Sequence, residues 1–179
     1  MMTKEMKLAL GVAAGVAILF CSSFAFFFTR VEKRKDTSFL ANSKSGVALP
    51  PSSLVDLNGE PLKDDNLRSG RVMLVFLNPG CGACHTEIEF LKTVVSKRDD
   101  LRYYGVASLG NARPDMEAEK QSPFKVYNDQ GSRLAIGLGI TKIPVKVFVE
   151  DGFIKKVWGG ASSTDETQLA FVHWLDELQ

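Results

Sequence analysis

The chain holds 179 residues, 45% of them apolar and 24% charged, with a formal net charge of +1. Those values exclude a disordered chain and a multi-span membrane protein, and three cysteines are too few for a fold built on disulfides. A near-neutral balance also argues against general nucleic-acid binding.

The averages hide an asymmetry. Residues 8–28 form a run of 21 without a charge, 17 of them apolar, whereas from residue 40 onward 16 Lys and Arg stand against 18 Asp and Glu. As a helix the run is ~31 Å long, enough to cross the ~30 Å core of a bilayer. It is longer than the apolar part of a cleaved signal peptide and ends in Phe26, Phe27 and Phe28 rather than in a small-residue cleavage site. Cys21 has Phe20 before it, where a lipoprotein site needs a small residue. Residues 1–36 therefore read as a tail and a single uncleaved anchor, with Cys21 a bystander in the span. The flanks bear on orientation. Lys4 and Lys7 precede the run, and Arg30, Lys33, Arg34 and Lys35 follow it. That count favours a cytoplasmic domain. A short tail before one span, together with the chemistry described next, favours export. The expectation is a single-pass protein of the inner membrane with its domain on the periplasmic side.

Residues 37–53 are rich in Ser, Asn, Ala, Gly and Pro and read as a linker. From residue 54 strands and helices alternate, the pattern of an α/β fold. Residues 54–57 form a short strand before the turn Asn58-Gly59. Residues 72–77 are a continuous apolar run, a central strand buried on both faces. After Asn78-Pro79-Gly80 comes Cys81, then Cys84, Ile88, Leu91 and Val95 at helical spacing. Residues 101–109 form a second strand, 111–122 a polar connection, 124–127 a short strand, and 133–138 a short helix ended by Gly139. Val145, Val147 and Val149 alternate with Lys146 and Phe148 in a strand that turns at Asp151-Gly152 into its partner, 153–158. Ser163-x-x-Glu166 reads as a capping box opening a last helix with Phe171, Trp174, Leu175 and Leu178 on one face.

Cys81-Gly82-Ala83-Cys84 places two thiols one helical turn apart at a strand-to-helix junction. Cys81 at the helix N-terminus faces unpaired N–H groups and the positive end of the dipole, which favour a thiolate. Cys81 would attack a disulfide and the less exposed Cys84 would resolve the mixed disulfide. Two other chemistries share the pattern. Residues 81–85 also read C-x-x-C-H, the c-type haem attachment motif, with His85 as iron ligand and Met116 or His173 as the distal one. A zinc site from Cys81, Cys84, His85 and His173 needs a long-range coincidence.

The decisive context lies sixty residues on, at Thr141-Lys142-Ile143-Pro144-Val145. With the strand at 72–77, the C-x-x-C motif, the strand after Pro144, Asp151-Gly152 and the closing helix, residues 54–179 resemble the thioredoxin superfamily. The resemblance implies a three-layer α/β/α fold around a central mixed sheet. It also implies a cis-proline at Pro144 beside the dithiol, and a client-docking backbone at Ile143. Within the superfamily the chain is similar to membrane-anchored TlpA/ResA-type proteins, which carry a glutamate three residues after the second cysteine, as Glu87 stands here. Phe76-Leu-Asn-Pro-Gly-Cys81 is similar to a stretch of MauD-type accessory proteins. Three positions depart from the family pattern: Val75 stands where thioredoxins bury an Asp, Gly80 where they have Trp, and Glu89 where the TlpA type has Pro.

The resemblance implies a thiol-disulfide oxidoreductase that reduces or isomerises disulfides of exported client proteins. Its electron donor would be a membrane thiol protein, and no cofactor is needed. Glu87, on the helix face of Cys84, is the candidate proton acceptor for that thiol. His85, Glu89, Lys142 and His173 read as solvated or structural side chains. A haem-binding electron carrier and a non-catalytic adaptor of the same fold are the competing functions.

Overall fold

The computed structural model describes residues 46–78, 80–108 and 120–178. The candidate span at 8–28, Cys21, the start of the linker, Pro79 and most of the 111–122 connection with Met116 lie outside the described residues. Among the described residues no helix is long and apolar enough to cross a membrane.

The apolar run forms β2 (Arg71–Leu77), and every residue from Val72 to Leu77 is buried. It is central because both its edges are paired. It runs parallel to β3 (Arg102–Ala107) and antiparallel to β5 (Val145–Glu150). With β1 (Leu54–Val55), β4 (Val126–Asp129) and β6 (Phe153–Gly159), the six-stranded sheet has the order β1-β4-β3-β2-β5-β6. β1 is antiparallel to β4, and β6 to β5, so the sheet is mixed as expected. Gly105 of β3 is obligatory in this packing, because a Cβ there would come within 2.9 Å of Val126 Cγ2.

Side chains alternate across the sheet and divide the core in two. Met73, Val75, Leu77 and Phe148 pack under the helices α2 (Gly82–Val95) and α4 (Asp165–Glu177), through Ile88, Leu91, Phe171 and Leu175. Val72, Leu74, Phe76, Val145 and Val147 face the short helices α1 (Asp65–Arg68) and α3 (Arg133–Leu138), through Leu67, Leu134 and Ala135. The three layers are therefore α/β/α. On the α4 side the aromatic rings interlock: Phe171 packs edge-on to Phe90 and Trp158, and Trp158 lies 4.2 Å from Trp174 between ring centroids.

Local signals explain most boundaries. Gly139, at φ 71°, ends α3 at Leu138 as expected. Asp151 and Gly152 both take positive φ, the demand of a tight two-residue hairpin turn. The capping box is displaced by one residue: Thr164 and Thr167 form it, not Ser163 and Glu166. Thr164 is the extended residue at the helix entrance, so its hydroxyl meets the Thr167 N–H. β4 begins at Val126, two residues later than expected, with Phe124 buried just before it. α1 leaves no mark in the sequence pattern, because four residues show no periodicity. It exists to seat Leu67, which is fully buried. Upstream of β1, residues 46–49 lie along the β6 edge: Gly46 N–H donates to the Ile154 carbonyl, Ile154 N–H to that of Val47, and Leu49 N–H to that of Gly152.

A charged clamp ties three element ends together. Arg98 donates from Nε and Nη2 to the two Asp100 oxygens, each at 2.7 Å, and Arg71 Nη1 adds a bond at 3.1 Å. Arg98 Nη1 also donates to the Leu175 carbonyl. The Arg98 hydrogen bonds chiefly, its charge and the Arg71 bond hold the Asp100 carboxyl down at about 2, against partial burial. A carboxyl depressed in the folded state stabilises the fold above its ordinary value of 3.8 and stops doing so as pH falls through about 2. Urea midpoints followed from pH 5 to pH 2 are therefore expected to fall less steeply in Asp100→Asn than in the wild type. Equal slopes would show that the clamp carries none of the acid sensitivity.

Candidate active site

The dithiol sits where β2 hands over to α2. Asn78 shapes the turn: its Oδ1 accepts the Gly80 N–H at 3.0 Å and its carbonyl the Cys81 N–H at 3.0 Å. Cys81 is the N-cap of α2, with extended φ/ψ, and its Sγ accepts the Cys84 N–H at 3.2 Å. The sulfur thus occupies the position where a capping oxygen normally satisfies an orphan donor, which is also where a thiolate is best stabilised. Cys81 and Cys84 are joined as a disulfide with Cα atoms 5.2 Å apart. Their environments differ. Cys81 is half-buried with exposed Gly82 and Ala83 beside it, whereas Cys84 is buried in the core. An approaching partner reaches Cys81 and not Cys84.

The register of the sheet brings the proline loop to the same end. Phe76 pairs with Val145, so the exit of β2 and the entrance of β5 are adjacent. The Ile143–Pro144 peptide is cis. Ile143 is half-buried and packs against both halves of the core, as Cys81 does against one. The Pro144 carbonyl accepts the Gly160 N–H at 2.9 Å, which fastens the loop after β6 beside it. Three segments thus converge at one end of the sheet: 80–84, 143–144 and 160–162.

Glu87 lies one turn beyond Cys84 and is almost wholly buried, at 1% exposure. Its partner is a residue that no sequence motif marks. Lys146 of β5, at 2% exposure, donates from Nζ to Glu87 Oε1 at 2.6 Å. Ser162 completes the cluster. Its N–H donates to Glu87 Oε2 at 2.5 Å, and its Oγ accepts from Lys146 Nζ at 3.1 Å. The Phe171 ring lies 5.1 Å from Nζ as an apolar floor. Burial lowers the Lys146 pKa, opposed by the charge and hydrogen bond of Glu87. Lys146 is the register partner of Val75, so the ion pair is built beside the strand position where thioredoxins carry their buried Asp. The signal was present, a lysine inside Val145-Lys-Val-Phe-Val149. Alternation alone assigned it to a face without saying that the face was covered.

The other candidates disperse. His85 and Lys142 are exposed. Glu89 pairs on the surface with Lys92 at 2.6 Å. His173 is exposed on α4 and lies 3.3 Å from Glu177. Met116 is outside the described residues. Among the described residues no group of three or more His, Cys, Asp or Glu is arranged to hold a metal ion. A thioether to haem at Cys84 would have to be made through core packing, which counts against the C-x-x-C-H alternative.

No protein-family model matches the chain, and no curated protein matches it in sequence. Solved structures do match in fold. MTB DsbF is 21% identical with a TM-score of 0.60, over 74% of this chain and 96% of that one. The thioredoxin domain of a thiol-disulfide oxidoreductase from Bacteroides vulgatus is 19% identical with a TM-score of 0.57, over 74% and 97%. StoA from Bacillus subtilis is 18% identical with a TM-score of 0.53, over 68% and 97%. The fold is thus the thioredoxin-like one that the cysteine and proline motifs imply.

Proposed function

We propose that the chain is a thiol-disulfide oxidoreductase anchored in the inner membrane by residues 8–28. Its domain works on the periplasmic side, reducing or isomerising disulfides of exported client proteins. The observation that carries this reading is the convergence of an accessible N-cap cysteine, a buried second cysteine and a cis Ile143–Pro144 at one end of the sheet. Cys81 is the attacking thiol and Cys84 the resolving one. Ile143 and Pro144 dock the client as an extended segment, and Glu87 takes the proton of Cys84. Electrons move by disulfide exchange alone, and a thiol protein of the membrane re-reduces the pair.

The purified chain, given a thiol reductant, is expected to accelerate the reduction of insulin disulfides. Cys81→Ser is expected to bring the rate down to that of the reductant alone. An unchanged rate in Cys81→Ser would remove the catalytic reading and leave the adaptor. For the location, a reporter fused after Gln179 that works only outside the cytoplasm should be active.

A further inference from the structure

Lys146 reaches no client, and no role in disulfide exchange follows from the dithiol and the proline loop alone. Yet it is a buried cation near the start of an apolar strand. Moving a charge out of water costs several kcal/mol unless partners compensate. Its partners come from the elements that build the site. Glu87 sits one turn along α2 from Cys84, and Ser162 follows Gly160, whose N–H holds the Pro144 carbonyl. Both Glu87 oxygens accept N–H donors, from Lys146 and from the Ser162 backbone, an arrangement suited to an ionised carboxylate.

We propose that Lys146 is a positioning residue for thiol exchange. It holds the Glu87 carboxyl in place with a hydrogen bond and a balancing positive charge, so that Glu87 can take the proton of Cys84 when a mixed disulfide is resolved. This rests on the oxidoreductase reading and names the control of the same site. In the step itself Cys84 Sγ–H gives its proton to the Glu87 carboxylate, and the freed sulfur lone pair attacks Cys81 Sγ. The bond from Cys81 Sγ to the client sulfur breaks, and the client leaves as a thiolate that is then protonated. Two electrons pass to the client, and the Cys81–Cys84 disulfide remains. Without Lys146 the negative charge of Glu87 is unbalanced and opposes a thiolate at Cys84, so resolution needs a higher pH.

The groups around this cluster come from each element packed against it. α2 contributes Cys84 and Glu87, β5 contributes Lys146, and the loop after β6 contributes Ser162. α4 presents the Phe171 ring, and β6 places Trp158 in register with Lys146. Among the described residues Lys146 is the basic group bonded to Glu87.

The experiment measures release of a chromogenic thiol from a preformed mixed disulfide on Cys81, against pH, in the full chain. In Lys146→Met the pH midpoint of release should rise by about one unit or more. Lys146→Arg should restore it toward wild type. In a Glu87→Gln background, adding Lys146→Met should move the midpoint no further. The alkylation profile of Cys81, at the helix entrance, should stay in place throughout. If Lys146→Met does not fold, Lys146→Gln carries the same test, keeping a hydrogen-bond donor without the charge. A midpoint unmoved in a folded variant overturns the inference, as does an equal shift with Glu87→Gln present. If the wild type releases no thiol at any pH, the oxidoreductase reading itself fails.

Discussion

Cys84→Ala will accumulate mixed disulfides through Cys81. Cys81 sits at the exposed entrance of α2, and its sulfur already receives a backbone N–H, so loss of the second cysteine leaves the attacking thiol in its favourable setting. What disappears is the intramolecular escape. Wild-type Cys84 is held with its Cα 5.2 Å from that of Cys81 and, in the proposed reaction, expels the client within one molecule. Alanine has no sulfur, so the bond to the client can be broken only by an outside thiol. Non-reducing electrophoresis of cells carrying Cys84→Ala should show adducts that collapse on reduction. The same bands should be missing in the double variant with Cys81→Ser. Mass spectrometry of the adducts then names the clients. A lane without adducts under either redox condition would count heavily against an exchange enzyme.

The second large effect is on stability. Replacing Lys146 by Met alone, or Glu87 by Leu alone, leaves the other charge buried without its partner, a loss of ~3–5 kcal/mol. Replacing both removes the unpaired charge, and the double variant should recover most of that loss. The Ser162 N–H keeps it from being complete, because the N–H loses the Glu87 oxygen that it now bonds at 2.5 Å. Urea unfolding of the four species gives the coupling directly. Additive losses would mean that the two side chains do not act as a pair in solution. The cycle also separates two roles of the cluster, since stability returns in the double variant whereas the proposed proton acceptor for Cys84 does not.

Some features were legible because a local demand allows few residues. The apolar run Val72–Leu77 carries apolar side chains on both faces and so needs a layer over each, and it stands at the centre of the sheet. Asp151-Gly152 had to be a turn, since both residues take positive φ. The cysteine spacing fixed their joint position on α2, and the proline motif that of the opposite loop. What stayed hidden depends on contacts between distant parts of the chain. Lys146 is separated from Glu87 by 59 residues and from Ser162 by 16, and nothing near Lys146 in sequence announces either partner. The shift of the cap from Ser163 to Thr164 is the smaller case. Adjacent hydroxyl residues offer equivalent caps, and the Ser162 N–H bond to Glu87 brings the preceding loop into register with the site.

The sheet margins carry a consequence for behaviour at high concentration. At one margin β1 is two residues long and is closed by its own turn, where Leu62 N–H bonds the Leu54 carbonyl. At the other, residues 46–49 occupy the first part of the β6 edge, and the exposed Lys155 and Lys156 stand on the rest. Free strand margins are where one chain recruits another into aggregates, and short strands, covering segments and lysines blunt them. A protein whose proposed substrates are incompletely folded chains meets adhesive backbone continually. With its margins short, partly covered and charged, it is expected to receive such chains at the dithiol without being built into their aggregates.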